Sequence, residues 1–168
     1  KRININTIKR KKNIEPISMI TAYDYPSAIH ANNAKIDIVL IGDSLNMVVA
    51  GKKDTLSTSI EQIIYHSKIV SDNSNYSFIV ADMPFGYCDI SENNALSNAI
   101  KIIKETGIDA IKIEGGEERK NEIQKIINCG IPVMGHIGLQ PQLTNMIGGF
   151  KYQGKTFESA KKIINDAI

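Results

Sequence analysis

Short apolar runs rich in Ile and Val recur along this chain, and most of them end on a lone polar residue. Ile38-Val39-Leu40-Ile41 leads to Asp43-Ser44, Phe78-Ile79-Val80-Ala81 to Asp82, Ala110-Ile111-Lys112-Ile113 to Glu114, and Pro132-Val133-Met134-Gly135 to His136. Runs of this kind are what strands buried on both faces of a parallel sheet look like. With one run before them, the pattern predicts strands over Ile17–Thr21, Ile36–Ile41, Phe78–Ala81, Ala110–Ile113 and Pro132–Gly135. Helical spacing fills the intervals. Pro26–Asn33 reads as a helix opened by proline in its first turn. Thr58-Ser59-Ile60-Glu61 has the form of a capping box and opens a helix carrying Ile60, Ile63, Ile64 and Ile69. Ser91 caps a helix with Ala95, Leu96, Ala99, Ile100 and Ile103 on its inner face, stopped by Gly107. A further helix carries Ile123, Ile126 and Ile127 and stops at Cys129-Gly130, and a last one covers Glu158–Ile168. The stretches after Ile41 and around Gly148-Gly149 read as loops.

Five βα units in succession imply a parallel α/β sheet with right-handed crossovers. A doubly wound sheet wants a glycine-rich phosphate turn after its first strand. Here Thr21-Ala22-Tyr23-Asp24-Tyr25 contains no glycine. An α/β barrel wants polar groups at many strand ends, since its sites form at the strands' C-terminal face. The expected fold is therefore a (β/α)8 TIM barrel of which this chain, as one domain over residues 1–168, supplies about the first five units. Such barrels run to about 250 residues. The chain also starts at Lys1 without methionine, so it reads as a fragment or a truncated gene product.

Composition changes this picture little. The 42% hydrophobic and 23% charged contents are those of an ordinary globule, and a net charge of +2 exerts no pull toward nucleic acid. The basic surplus clusters in Lys1, Arg2, Lys9, Arg10, Lys11 and Lys12, which reads as a solvated leader. No apolar stretch approaches the roughly 18 residues that a membrane span needs. Cys88 and Cys129 are isolated thiols without ligand spacing, as suits a reducing cytoplasm.

The motifs along the chain resemble those of the ketopantoate hydroxymethyltransferase family. They begin at Glu15-Pro16-Ile17-Ser18-Met19-Ile20-Thr21-Ala22-Tyr23-Asp24 and continue through Ile41-Gly42-Asp43-Ser44-Leu45, Thr55-Leu56 and Ile64-Tyr65-His66. Ala81-Asp82-Met83-Pro84-Phe85-Gly86 and Lys112-Ile113-Glu114-Gly115-Gly116 follow. Gly135-His136-Ile137-Gly138-Leu139 with Pro141-Gln142, then Gly148-Gly149-Phe150-Lys151 with Gln153-Gly154, complete the series. The resemblance implies a soluble biosynthetic enzyme, a large homo-oligomer at full length. It takes a proton from C3 of 3-methyl-2-oxobutanoate, and the enolate attacks the one-carbon unit of 5,10-methylenetetrahydrofolate. The enolate oxygen is stabilised by Mg²⁺, which favours oxygen ligands and retains several waters. Asp43 and Asp82 match the family's metal ligands, and Glu114 its third acidic contact, made through water. Asp43, Ser44 and Asp82 border the substrate, Lys112 matches a contact to its carboxylate or enolate oxygen, and His136 lies near the one-carbon transfer.

Each residue also has a plainer reading. Asp43 alone fits a turn or helix cap, and His136 alone fits a core histidine. Lys112 and Glu114 alternate along one strand and share a face, which makes an ion pair between them awkward. His66 reads as packing or surface, His30 as exposed, and Tyr23 and Asp24 either line the rim or open the first helix. Departures from the family are Asn46 in place of glycine, tolerable because Asn accepts positive φ, together with Lys52-Lys53 and Ser57. The family's general base, a glutamate ending the sixth strand, has no counterpart here, so the chain alone is expected to turn over nothing. Two rivals stand beside this reading. One is a related enolate-forming enzyme of the isocitrate lyase and phosphoenolpyruvate mutase type, whose Lys-Lys-Cys-Gly loop is absent. The other is a non-catalytic barrel remnant.

Overall fold

Five parallel strands form a single sheet in sequential order in the computed structural model of the chain, which describes residues 2–168. They are β1 (Met19–Thr21), β2 (Ile38–Ile41), β3 (Phe78–Asp82), β4 (Ala110–Glu114) and β5 (Val133–His136). Each pairs in parallel with the next in the chain. The order never reverses, so there is no switch point of the doubly wound kind. Instead the sheet steps round like the staves of a barrel. Its helices are α1 (Ile5–Lys11), α2 (Tyr25–Asn33), α3 (Leu45–Val48), α4 (Ile60–Asp72), α5 (Glu92–Thr106), α6 (Lys120–Asn128), α7 (Thr144–Ile147) and α8 (Phe157–Ala167).

Register divides every strand into two faces, because side chains alternate along it. Val39, Ile41, Ile79, Ala81, Ile111 and Ile113 face the helices and bury against Ile63, Val70, Ala95, Ala99, Ile102 and Ile126 of α4, α5 and α6. The opposite, inner face carries Ile38, Phe78, Val80 and Ala110 low on the sheet. Higher up, Asp82 stands opposite Lys112 and Glu114 opposite His136. One parity therefore leads from an apolar floor to a polar rim. At the edges, Met19 and Ile20 of β1 remain 42% and 49% exposed, and β5 has a neighbour on one side only among the described residues.

From Arg2 on, the basic leader is structured, against expectation; Lys1 lies outside the described residues. Asn4 caps α1 by accepting from the Thr7 amide, and Ile3 buries against Ile38, Phe78, Val80 and Ala110 beneath the sheet. Arg2 and Lys11 are engaged as well. Arg2 Nη2 meets Asp109 Oδ2 at 2.7 Å, and Lys11 Nζ meets Asp37 Oδ1 at 2.7 Å. An apolar plug with flanking cations had looked like a solvated tail because its partners lie far along the chain.

Smaller differences have local causes. The capping box of α4 is shifted by one residue, with Ser59 and Gln62 exchanging the bonds, because the Thr58 hydroxyl is bonded to the carbonyl of Asp43. Asn46 lies within α3 and its φ is not positive. Its side-chain amide instead donates to the Asp54 carbonyl and the Ser57 hydroxyl, tying down the loop between β2 and α4.

Candidate active site at the sheet's C-terminal rim

The polar strand ends converge. Asp43 follows β2 through Gly42, and its backbone N–H donates to Asp82 Oδ2 at 3.0 Å. Gly42 leaves room there: a Cβ would come within 2.7 Å of Ser44 Oγ, and that hydroxyl would have to turn away. Both aspartates are buried. The pairing register sets Lys112 beside Asp82, and the ammonium contacts Asp82 Oδ1 at 2.7 Å. Lys112 thus pairs across strands, and its strand neighbour Glu114 turns the other way, with Oε1 3.2 Å from His136 Nδ1. That contact is off-line, and the imidazole nitrogen makes no formed hydrogen bond.

Charge at this rim is unbalanced. Burial, then the negative charge of Asp82, pushes the Asp43 carboxyl up to about 7. A hydrogen bond from Gln142 lowers it, Glu114 raises it further, and Lys112 offsets only part of this. Three carboxylates share a single ammonium, and such crowding in a cleft is a mark of function rather than of fold. Asp43 and Asp82 are the residues here that could hold a divalent cation. Among the described residues, no three His, Cys, Asp or Glu side chains are arranged to hold an ion by themselves. A pair of carboxylates completed by ligand and water oxygens is the arrangement Mg²⁺ favours.

A hydroxyl network flanks the aspartates. Tyr23 Oη and Ser44 Oγ are 2.7 Å apart, and His66 Nδ1 lies 2.6 Å from the Tyr23 carbonyl. His66, read from sequence as packing or surface, in fact braces the segment that carries Tyr23. Asp24 does not line the rim; it caps α2 with Ser27. His30 is exposed, as expected.

Gln142 was not foreseen. It sits in the single turn Pro141–Leu143 after β5. Its Nε2 donates to Asp43 Oδ2 at 2.8 Å and to the Met83 carbonyl at 2.9 Å, and its backbone N–H donates to Glu114 Oε2 at 3.0 Å. Its only sequence signal was a place in the Pro141-Gln142 motif. A cavity of about 360 Å³ opens beside it, bordered by Met83, Phe85, Cys88, Glu114 and Met146. Burial pushes the Cys88 thiol up to about 11, so it stays protonated and is no nucleophile.

Comparison with known proteins agrees with the geometry. A family model described as ketopantoate hydroxymethyltransferase matches residues 2–168. A 3-methyl-2-oxobutanoate hydroxymethyltransferase from a Thermoanaerobacter species is 49% identical over 159 residues, which are 95% of this chain and 58% of that protein. The protein of the same name from Carboxydothermus hydrogenoformans is 46% identical over 167 residues, 99% of this chain and 60% of its own length. The chain therefore spans about three-fifths of these relatives. Among solved structures, 2,3-dimethylmalate lyase, a PEP mutase/isocitrate lyase superfamily member, superposes with TM-score 0.60 at 18% identity, over 80% of this chain and 53% of that one. Oxaloacetate acetylhydrolase gives 0.60 at 11% identity, over 77% and 51%. Likeness at such identities shows the fold alone, an α/β barrel that this chain fills in part.

Proposed function

The chain belongs to the ketopantoate hydroxymethyltransferase family, and from that premise we propose that it carries the cation- and oxo-acid-binding side of an enzyme transferring a hydroxymethyl group from 5,10-methylenetetrahydrofolate to 3-methyl-2-oxobutanoate. One observation carries the reading: two buried aspartates in contact at a barrel rim, with one ammonium between three carboxylates. Asp43 and Asp82 would hold Mg²⁺, which would supply Lewis-acid polarisation of the 2-oxo group. Asp43 presents its carboxylate from a glycine-hinged turn and is kept from rotating by Gln142. Asp82 shares its charge between the Asp43 amide and Lys112, which leaves Lys112 placed to meet a substrate oxygen as negative charge grows there. Ser44, its hydroxyl fixed by Tyr23, offers a polar contact at the same edge. Glu114, with Oε2 on the Gln142 amide and Oε1 toward His136, acts on the site from behind rather than by direct ligation. His136 borders the face where the one-carbon donor approaches.

The test uses Mn²⁺ as a paramagnetic stand-in. With Mn²⁺ and the protein together, the methyl signals of 3-methyl-2-oxobutanoate broaden, and Asp43→Asn or Asp82→Asn abolishes the effect. Broadening that survives both substitutions overturns the assignment. Deuterium exchange at C3 with Mg²⁺ is expected to be absent in residues 1–168, because the rim carboxylates Asp43, Asp82 and Glu114 are each already engaged. Brisk exchange would place the base within this chain.

A further inference from the structure

The Pro141–Leu143 turn lies after the last strand and reaches the rim through Gln142, by its side chain and its backbone N–H. We propose that Gln142 is a positioning residue of the cation site, clamping one oxygen of Asp43 so that the other faces the ion while its main chain restrains Glu114. This rests on the cation reading above and adds to it a residue that makes no contact with the ion.

The argument is one of donors and acceptors. Both neighbours of the Gln142 amide nitrogen, the Asp43 carboxylate and the Met83 carbonyl, can only accept. The side-chain amide must therefore point its nitrogen inward, and both of its N–H bonds are used. Asp43 Oδ2 is thereby occupied, and Oδ1 is the oxygen left for a ligand. The backbone N–H of the same residue holds Glu114 Oε2. One residue thus fixes two carboxylates 99 and 28 positions away in sequence. A carboxylate free to rotate presents either oxygen, and restraining it before the ion arrives raises affinity, as hydrogen-bonding groups behind metal ligands generally do, by about 10- to 100-fold. Length matters too: asparagine is one methylene shorter and cannot span from the turn to both acceptors.

Gln140 provides the control. It stands two residues earlier, and its amide reaches only the His136 carbonyl, at 3.4 Å, with no carboxylate. Gln142→Met is expected to weaken Mn²⁺ binding, followed by water-proton relaxation, by about ten-fold or more, and Gln142→Asn not to restore it. Gln140→Met should leave Mn²⁺ affinity unchanged. A residue that merely holds the turn would lower the thermal midpoint and leave the folded protein's Mn²⁺ affinity intact; that result overturns the proposal. A second measurement needs no substitution. In a diamagnetic Mg²⁺ titration of the unaltered protein, the Gln142 side-chain amide resonances should move in step with binding. Resonances that stay still while Mg²⁺ binds overturn the proposal, and so does failure of the unaltered protein to bind either ion. Only that last outcome also removes the cation reading itself.

Discussion

The two ends of the same sheet treat charge in opposite ways. At the floor, buried Asp37 and half-buried Asp109 each have their own partners. Asp37 accepts from Lys11 and from the amide and hydroxyl of Ser18, and Asp109 accepts from Arg2 and the Ile79 amide. Burial alone would raise Asp37, yet the ammonium and those hydrogen bonds outweigh it and hold the carboxyl below its ordinary range. At the rim, burial and a second aspartate raise Asp43 with too little to offset them. The strands are the same and the burial is similar. The floor is arranged so that charge supports the fold. The rim leaves charge incompletely offset, and the fold carries that cost.

The sharpest way to break this contrast is at the Asp82–Lys112 pair. Lys112→Met leaves a buried carboxylate without its cation and is expected to cost about 3–5 kcal/mol of stability. Replacing both partners, Asp82→Leu with Lys112→Met, should return most of that loss, as paired apolar substitutions of buried ions often do. Urea unfolding of the two variants decides it, and a double variant no better than the single would show that the pair serves stability after all. Next in size is Asp43→Asn. In chelator at pH 8 the substitution should stabilise the protein by about 1–3 kcal/mol, because it removes a charge whose burial costs free energy. The sign follows from the raised carboxyl. The penalty is absent below the ordinary value of 3.8, grows as pH rises from there and is complete above about 7, so the gain should disappear in acid. The smallest effect is expected at the floor. Asp37→Ala should cost about 1–2 kcal/mol by orphaning the Ser18 donors. Here the dependence runs the other way: a depressed carboxyl stabilises above its unfolded value and loses that contribution as pH falls, so variant and parent should converge in acid. Opposite slopes for Asp43 and Asp37 in thermal melts across pH would confirm that the ends differ in kind.

Much of this arrangement can be read in the chain before folding. Strand ends are legible because buried parallel strands are apolar throughout, so Asp82, Lys112, Glu114 and His136 stand out against their own runs. Their parity, two residues apart in β4, even predicts that Lys112 and Glu114 share a face. What escapes is whatever depends on partners distant in sequence. Lys112 chooses Asp82, 30 residues away, over Glu114 because register across strands brings it closer. Gln142 sits in an ordinary turn, and nothing in its neighbourhood announces three acceptors supplied at or just after the ends of other strands. Arg2 and Lys11 resemble a solvated run, although Asn4 and Thr7 offered a cap and Ile3, Ile5 and Ile8 an apolar edge. The short α3 and α7, four residues each, are too brief for periodicity to register.

The floor plug also bears on how the chain assembles. Arg2 reaches partners 75 and 107 residues away, so it has no seat until β3 and the residue just before β4 are in place. Closing loops of that size is slow compared with forming the local βα units. The segment around Arg2 and Ile3 is thus among the last to dock, and substitutions at Ile3 should quicken unfolding far more than they slow refolding.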